Sequence, residues 1–502
     1  MMKYDRTPAR VVLIDISGLR QDVFHQALKE KKLPMMEQLL GGENAMNGVH
    51  IDPISTFPST TFSAQTSIIT GLHPNQHGIS GNQFFDRFGS NNNGIPIFYD
   101  LDMGDRLAVD DAVAVFQGKK GLIGDLLEDH SLTIYEIAKQ FGLRSIVGNH
   151  MLARGADLWL KPELMDVARF TKAGDLFGSQ ASAFDHQMIQ QLCKNISGEK
   201  EFDFITAYFM GLDHQSHHEG PESQMDYLSK VIDAQVGELV ETLRTKNRLT
   251  NTLFVFVSDH GQVACKADDR YAIPLSYPFE REFEGFFSTF GLDMQADFPG
   301  EGPNCEAVVA SNGGMAQVYL QNRRGSWKDA PRFELDVLPI AEALWEANLS
   351  GMYCSELRGT LSMILVRNVE QEGWQAPYQV LTADGIFPLD EYFEENYNFN
   401  QVEGALRLND LSGHTSGDLI LISDIEEGYY FGSPVRGVHG GLKEEESFAV
   451  LSLGWFEAKE GSANWLRNTT QRIIARRREL EKRSSPLLED MLPVLWAVMG
   501  WG

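Results

Sequence analysis

The sequence predicts an α/β protein with a doubly wound, mostly parallel central sheet, helices on both faces of that sheet, and a smaller inserted α+β cap. Short apolar runs at residues 11–16, 202–210 and 252–259 are typical of buried strands, and a helical pattern separates the last two. The cap is indicated by a change after residue 270, where irregular aromatic stretches alternate with short strand-like and helical segments.

The segment between the second and third apolar runs has a helical period. Pro221 suits a first helical turn, and apolar residues then recur every three or four positions. A strand, a helix and a strand in this order predict parallel pairing of the two strands. Residues 132–149 repeat the pattern, with a helix closed by Gly142 and then another strand. The apolar positions of the first helix are Met225, Leu228, Ile232, Val236, Leu239 and Leu243.

These patterns divide the chain into three parts. Residues 1–270 and 415–460 are predicted to form the catalytic α/β core. Residues 271–414 are predicted to form the inserted cap, a subdomain that shapes the substrate pocket, and residues 461–502 a C-terminal helical segment.

The apolar C-terminal stretch, residues 486–502, is shorter than the roughly 20 residues of a membrane-spanning helix and contains Glu489, Asp490 and Pro493. We expect a helix that docks on the protein body, with a membrane anchor and a surface or dimer contact as the alternatives.

The N-terminus has no apolar core followed by a cleavage site, which argues against a secretory signal. The cysteines lie far apart, as is typical of reduced thiols, so we expect a cytoplasmic protein. They are Cys193, Cys265, Cys305 and Cys354.

The charge of the chain restricts its partners. Seventy acidic residues against 43 basic ones give a formal charge of −27. A surface this negative repels a phosphate backbone, so nucleic acid is not an expected partner. The same field would slow the approach of a phosphorylated small molecule, unless bound cations reverse the potential at the site.

Two clusters of candidate metal ligands follow strand-like runs. Asp213 ends the second run, and His217 follows it four residues later in a polar loop. Asp259 and His260 end the third run, before Gly261, which permits a turn that brings both side chains to one ion. Each cluster alone also fits an ordinary surface loop or a polar strand end.

His439 is the centre of a third cluster, in which Gly437, Gly440 and Gly441 allow close approach of the backbone to a bound group. By itself this is also the pattern of a flexible glycine loop. Three such clusters together favour a metal site, and imidazole and carboxylate ligands without cysteine suit zinc or manganese.

Thr61 is the candidate nucleophile. It lies in a hydroxyl-rich stretch, residues 55–87, and opens a predicted helix in "TFSAQTSIITG". One interpretation of its hydroxyl is a helix N-cap. The other is catalytic, because a helix N-terminus presents amide N–H groups to a phosphoryl group and a bound metal favours the alkoxide.

These residues together resemble the alkaline phosphatase superfamily, and in particular its nucleotide pyrophosphatase/phosphodiesterase family, across most of the chain. The resemblance rests on the order and spacing of "FPSTTFSA", "TGLHPNQHG" and "GNQFFD", followed by "DHQSHHEGP", "SDHG" and "HGG". It implies an alkaline-phosphatase-like fold, with Thr61 as the nucleophile and Asn82 as the residue that contacts the equatorial oxygens.

The resemblance also implies ligands for two divalent ions. The family pattern places an aspartate directly before the Gly of "DGLR", whereas this chain has Ser17 there. Asp15 is the available substitute, because residues 15 and 17 face the same side of a strand. The implied ligands are Asp213, His217 and His439 for one ion, and Asp259, His260, Thr61 and Asp15 for the other.

We therefore expect a metal-dependent hydrolase that cleaves a phosphodiester or pyrophosphate bond of a small phosphate ester or nucleotide-like substrate through a phospho-threonine intermediate. Its cofactors would be two divalent ions, zinc or manganese. The alternatives are a phosphomonoesterase or phosphonate hydrolase on the same scaffold, a non-catalytic metal-binding relative with an impaired second site, and a lipid phosphodiesterase at a membrane surface. The oligomeric state stays open, with a homodimer as one option.

Overall fold

The computed structural model of the chain describes residues 7–42, 45–101, 115–128, 130–163, 181–273, 281–295, 302–394 and 401–501. The first six residues, part of the stretch inspected for a secretory signal, lie outside the described residues. So do residues 274–280, 296–301 and 395–400 of the predicted cap.

The core sheet has seven strands, and five adjacent ones are parallel. Its central strand, Arg10–Ile16, pairs in parallel with Phe204–Phe209 on one side and Thr252–Val257 on the other. The predicted mostly parallel sheet is therefore confirmed. In order across the sheet, the strands are Val49–Ile51, Leu451–Phe456, Thr252–Val257, Arg10–Ile16, Phe204–Phe209, Ser145–Gly148 and Leu158–Leu160.

Helices cover both faces of the core sheet. Val11 and Leu13 belong to one hydrophobic cluster, whereas Val12, Ile14 and Ile16 belong to another, because successive side chains of a strand point to opposite faces. Burial on both faces explains why these strands are continuously apolar in sequence. The first face is covered by Thr61–Thr70, Leu122–Leu126, Ile134–Gln140 and Met491–Val498, and the second by Gln21–Lys29, Pro34–Leu39, Ala181–Ile196 and Asp233–Thr245.

The helix predicted over residues 221–243 forms as a continuous helical run whose winding changes along its length. A 3₁₀ turn, Pro221–Ser223, leads into the α-helical turn Gln224–Tyr227, a π-helical turn, Leu228–Ile232, and the α-helix Asp233–Thr245. The six apolar positions that predict this helix all lie within it.

A second sheet of seven strands forms most of the inserted region and is largely antiparallel. Helices Arg281–Thr289 and Leu338–Ser350 pack on it, which gives the predicted α+β composition. In order, its strands are Met294–Gln295, Ala307–Asn312, Met315–Leu320, Leu419–Ser423, Leu361–Val366, Gln379–Thr382 and Gly385–Pro388.

This second sheet extends past the boundary that we predict at residue 414. Leu419–Ser423, expected to return to the core, pairs instead with Met315–Leu320 and Leu361–Val366 in the middle of the second sheet. The chain rejoins the core sheet only with Leu451–Phe456. A continuously apolar strand pattern indicates burial on both faces, but it does not show which of the two sheets the strand joins.

Shorter elements complete the described chain. Three further strand pairs join Gln83–Asp86 to Ile97–Asp100, Val263–Ala264 to Gly437–Val438, and Ala272–Ile273 to Tyr430–Phe431. The remaining helical segments are Pro74–His77, Gly211–Glu219, Phe333–Val337, Ser355–Leu357, Val369–Glu372, Leu389–Glu394, Gly404–Leu411, Glu444–Ser447, Ser462–Glu481 and Leu488–Asp490.

The C-terminal segment docks on the core, as predicted from its sequence. Met491, Val494, Leu495 and Val498 are buried in the same hydrophobic cluster as one face of the core sheet. Within the described ranges, no helix combines the length and the apolar character that crossing a membrane requires. All four cysteines are free thiols.

Candidate active site

The candidate active site lies where three neighbouring parallel strands of the core sheet end. Because parallel strands share one carboxyl edge, the residues that follow them come together even though they are far apart in sequence. The residues that follow the three strands at this edge are Ser17, Asp213 and Asp259.

Asp213 and His217 lie on one face of a short helix, Gly211–Glu219, where the sequence predicts a loop. Residues four apart are neighbours on a helix, and His217 Nε2 lies 3.3 Å from Asp213 Oδ2. His217 Nδ1 donates to the carbonyl of Gly437 at 2.8 Å, so Nε2 is the ring nitrogen that faces the carboxylate and would bind an ion in place of a proton. This second contact fixes the imidazole in the form that binds a metal.

His439 lies near the other oxygen of the same carboxylate. Its Nδ1 donates to the carbonyl of Ser59 at 2.9 Å, and its Nε2 lies 4.0 Å from Asp213 Oδ1. The ligand atoms of Asp213, His217 and His439 all lie within 4.8 Å of one another. Among the described carboxylates, imidazoles and thiols, this is the one group of three or more that is so close. Two imidazoles and one carboxylate with an open position form a donor set that suits a catalytic zinc ion.

The charges in this cluster also favour a cation. Burial lowers the pKa of His439 to about 3 and also lowers the pKa of His260, so both imidazoles are neutral and able to bind a metal. Burial opposes ionisation of Asp213, but the adjacent His217 outweighs it and holds the pKa of Asp213 well below its ordinary value. Burial, together with the nearby Asp213 carboxylate, raises the pKa of Asp259 to about 6. Two neighbouring carboxylates that repel each other are stabilised by a cation between them.

Asp259 and His260 form the second part of the site, directly after the strand Thr252–Val257. Asp259 Oδ1 accepts from the backbone N–H groups of Gly18 and His260, both at 2.9 Å, and its Oδ2 accepts from the Ser17 hydroxyl at 2.9 Å. His260 Nδ1 donates to the Gly261 carbonyl at 2.9 Å, and the His260 ring stacks on that of His439 at 3.8 Å. The three predicted ligand clusters are therefore adjacent.

Gly261 has a different role from the one that its sequence position suggests. Its φ is not positive, so the backbone there does not need glycine for a turn. A Cβ atom at this position would instead lie 2.0 Å from the carbonyl oxygen of Glu445. Glycine is required because another segment packs directly against it.

Thr61 is the first residue of the helix Thr61–Thr70, and Thr60 is the N-cap residue. The N-cap interpretation of the Thr61 hydroxyl therefore does not apply. Thr61 Oγ1 lies 3.1 Å from His260 Nε2, and Thr61 lines an open cavity together with Asp213, His217 and His439. The helix N-terminus directs its positive end into this cavity.

Asn82 lies beside the nucleophile candidate. Its Oδ1 accepts from the backbone N–H of Phe62 at 3.0 Å, which fixes the orientation of the amide. Because Asn82 also lines the cavity, its Nδ2–H groups are the part of the amide that can donate to a phosphoryl oxygen. The structure thus brings Asn82, Thr61 and the predicted ligands to one place.

Asn312, from the second sheet, is a site residue that we do not predict from sequence. Its Oδ1 accepts from the backbone N–H groups of Asn82 and Gln83 at 2.7 and 3.1 Å, and its Nδ2 donates to the Gln83 carbonyl at 3.0 Å. Gly81 makes this approach possible, since a Cβ atom there would lie 2.4 Å from Asn312 Oδ1. The inserted region therefore holds the loop that carries Asn82.

Asp15 is fully buried, and its carboxylate is hydrogen-bonded to Gln65. Its Oδ1 accepts from Gln65 Nε2 at 2.9 Å, and its Oδ2 lies 3.6 Å from His150 Nε2. Gln65 Oε1 in turn lies 3.0 Å from His150 Nε2. Asp15, Asp259 and His260 do not form a second compact group of ligand atoms among the described residues. At this strand end, the Ser17 side chain, not that of Asp15, is hydrogen-bonded to Asp259.

The sequence profile of type I phosphodiesterase / nucleotide pyrophosphatase matches residues 11–431, which include every ligand and nucleophile candidate except His439. The chain belongs to this family. The phosphodiesterase family profile begins in the central strand of the core and ends at Tyr430–Phe431, so it covers every strand of the second sheet and every strand of the core sheet except Leu451–Phe456.

Curated members and relatives of the phosphodiesterase family are similar to this chain at low identity. An uncharacterized pyrophosphatase/phosphodiesterase of Schizosaccharomyces pombe is 24% identical over 274 residues, which cover 52% of this chain and 46% of the relative. The bis(5'-adenosyl)-triphosphatase ENPP4 of Homo sapiens is 22% identical over 264 residues, covering 52% of this chain and 49% of the relative. The matched part is thus about half of each relative.

Solved structures support the same fold. Murine ectonucleotide pyrophosphatase/phosphodiesterase 5 superposes with a TM-score of 0.52 and 14% identity, covering 95% of this chain and 96% of that chain. An inactive threonine-to-alanine variant of the same murine protein, in complex with AMP, gives the same TM-score, identity and coverage. At this identity, the likeness establishes the fold alone.

Proposed function

We propose that this protein is a metal-dependent hydrolase that cleaves a phosphodiester or pyrophosphate bond of a nucleotide-like substrate, with Thr61 as the nucleophile. The observation that carries this proposal is the position of the Thr61 hydroxyl. It lies at a helix N-terminus in an open cavity, 3.1 Å from His260 Nε2 and beside the Asp213, His217 and His439 group. The solved complex of an inactive threonine-to-alanine relative with AMP supports both the residue type and the substrate class.

The residues of this chain divide the reaction between them. Thr61 Oγ1 gives up its proton and attacks phosphorus, and the bond from phosphorus to the leaving oxygen breaks, so that the leaving group departs with the electron pair and takes up a proton from solvent. This forms an ester between Thr61 and the retained half of the substrate. Attack of water on phosphorus then releases that half and restores the threonine hydroxyl.

Asn82 and the helix N-terminus bind the negative charge that develops on the equatorial oxygens. The Nδ2–H groups of Asn82 and the backbone N–H of Thr61 are the proposed donors, and Asn82 is preorganised because Phe62 and Asn312 hold it. Preorganised donors of this kind stabilise a transition state without having to reorient.

We propose a zinc ion, with manganese as the alternative, between Asp213, His217 and His439, and a second ion at Asp259, His260 and Thr61. Such ions, when bound, lower the pKa of a coordinated hydroxyl and neutralise the charge of the phosphoryl group. They would also offset the repulsion between an anionic substrate and a chain whose formal charge is −27.

The shape of the cavity favours a diester over a monoester. Apolar side chains, Met210, Phe431, Val435 and Val438, line the cavity together with Asn82 and the proposed ligands. A second ester substituent such as a nucleoside would bury its apolar surface against them. A monoester carries only its leaving group and lacks this second substituent.

Hydrolysis assays on three substrates test this proposal: a nitrophenyl phosphate monoester, a bis-nitrophenyl diester and a nitrophenyl ester of a nucleoside monophosphate, each with zinc and with manganese. We expect the nucleotide-type diester to have the highest kcat/KM and Thr61→Ala to abolish its turnover. Full turnover by Thr61→Ala would refute the nucleophile. A preference for the monoester would instead make the protein a phosphomonoesterase.

A further inference from the structure

The two proposed metal positions are unequal in their donors. The first position has one carboxylate and two imidazoles, Asp213, His217 and His439, and a backbone carbonyl orients each imidazole. The second position has one carboxylate, Asp259, and one imidazole, His260, with the Thr61 hydroxyl as its third donor. It lacks the further carboxylate that the family pattern places at residue 17.

Ser17 takes the place of that carboxylate in space as well as in sequence. Its side chain is almost fully buried and its hydroxyl donates to Asp259 Oδ2 at 2.9 Å. Asp259 Oδ1 already accepts from two backbone N–H groups, those of Gly18 and His260. The Asp259 carboxylate is thus satisfied by the protein itself, and an ion there must displace or share the Ser17 hydrogen bond.

Asp15 does not supply the absent charge. It belongs to a buried hydrogen-bonded chain with Gln65 and His150, whose partners come from the helix Thr61–Thr70 and from the loop after Ser145–Gly148. To reach the second position, Asp15 would have to leave Gln65, whose amide would then be buried without its acceptor. The second position therefore remains one negative charge short of the family pattern.

We propose that the protein holds one resident ion at Asp213, His217 and His439, and that the second position binds its ion weakly until the phosphate oxygens of a substrate supply the charge that Ser17 does not. This inference rests on the proposed function and adds to it that the second ion and the substrate bind cooperatively. Loss of a charged ligand weakens the second position, relative to the first, by at least about 10- to 100-fold.

Metal content after gel filtration in metal-free buffer tests this proposal without any assay of turnover. We expect the wild-type protein to retain one equivalent of zinc, Ser17→Asp to retain two, and Asp213→Asn to retain none. Ser17→Ala, which removes the hydroxyl but adds no charge, is the matched control and should retain one. Two equivalents in the wild type, none in the wild type, or one in Ser17→Asp would each overturn the proposal.

Thermal unfolding shows whether the Ser17→Asp protein is folded and whether its new carboxylate meets an ion. An aspartate at residue 17 would face Asp259 directly, so without metal the variant should unfold at a lower Tm than Ser17→Ala. Zinc should then raise the Tm of Ser17→Asp more than that of Ser17→Ala. An equal zinc-induced shift in the two variants would contradict the proposal.

Zinc is titrated into protein that already carries its resident ion, with and without AMP. The difference in affinity measures the cooperativity between the second ion and a phosphate ligand, for which AMP is the probe. Wild-type protein should bind the second ion at least about tenfold more tightly with saturating AMP, whereas Ser17→Asp should show a smaller gain. An equal affinity with and without AMP would overturn the cooperative part. These binding results do not depend on turnover, so an inactive protein with the predicted binding would refute the proposed function and leave this inference standing.

Discussion

Asn312 Oδ1 lies 2.7 Å from the backbone nitrogen of Asn82, and this hydrogen bond connects the second sheet to the loop that faces the Thr61 hydroxyl. The same oxygen also accepts from Gln83 N–H, and the Asn312 amide donates back to the Gln83 carbonyl. Further along the loop, Gln317 donates to the Ser80 carbonyl. The inserted region thus positions a residue of the core site as well as lining the cavity.

Asn312→Ala should lower kcat for diester hydrolysis by about 10- to 100-fold with little change in KM. The reason is that the Asn82 loop loses three hydrogen bonds, and a displacement of about 1 Å in a positioning group costs a comparable factor. Asn348 is a matched control, because it makes the same kind of clamp in the second sheet, to the backbone of Thr360 and Leu361. Asn348→Ala should lower the Tm but not kcat, and equal losses of kcat in both variants would reduce the role of Asn312 to folding.

Asn82→Ala should lower kcat by about 10²- to 10³-fold, the usual effect of removing one preorganised donor from an anionic transition state. Asn82 lies at the N-terminus of the helix Thr61–Thr70 and accepts a hydrogen bond from Phe62 N–H. The variant therefore also leaves the Phe62 N–H without this acceptor. Steady-state kinetics on the nucleotide-type diester provides the measurement. A rise in KM at constant kcat would mean that Asn82 binds the ground state only.

His73 supplies a prediction on stability. Although burial opposes its protonation, the carboxylates of Glu489, Glu481 and Asp410 raise the pKa of His73 from its ordinary 6.5 to about 11. A raised pKa in the folded state stabilises the protein fully below about pH 6.5, and this contribution is lost as the pH rises from there to about 11. This pairing ties the helix Pro74–His77 to the C-terminal segment.

His73→Gln should therefore reduce the free energy of unfolding by on the order of 3 kcal/mol near neutral or slightly acidic pH, and by less at about pH 10. Denaturant unfolding of both proteins at both pH values provides the comparison. His25, in an exposed pair with Asp52, is the control, and His25→Gln should change the stability by less than about 1 kcal/mol at either pH. A constant gap between wild type and His73→Gln would contradict the ion-pair account.

The sequence predicts the parts of the site that depend on local pattern. The strand ends before Asp213 and Asp259 can be predicted because buried parallel strands are continuously apolar. Their side chains are expected to meet because the carboxyl ends of such strands share one edge of the sheet. The four-residue spacing of Asp213 and His217 also signals a helical face, and it is the clue that would have corrected the predicted loop.

Other parts are invisible in the sequence because they depend on long-range pairing. Asn312 lies 230 positions from Asn82, and in sequence it resembles a turn residue before two glycines. Leu419–Ser423 has the pattern of any buried strand, so its membership in the second sheet follows only from its neighbours. Ser17 is noticeable in sequence, but its hydrogen bond to Asp259 and the burial of Asp15 against Gln65 are not.

The covalent role of Thr61 is tested most directly by rapid acid quenching of turnover with the nucleotide-type diester, followed by mass spectrometry of the peptide that contains Thr61. We predict that a fraction of the wild-type molecules carries the retained half of the substrate as an ester on Thr61. Thr61→Ala should show no such adduct and at least about a 10³-fold lower kcat. An adduct on another residue, or normal turnover by Thr61→Ala, would contradict the account.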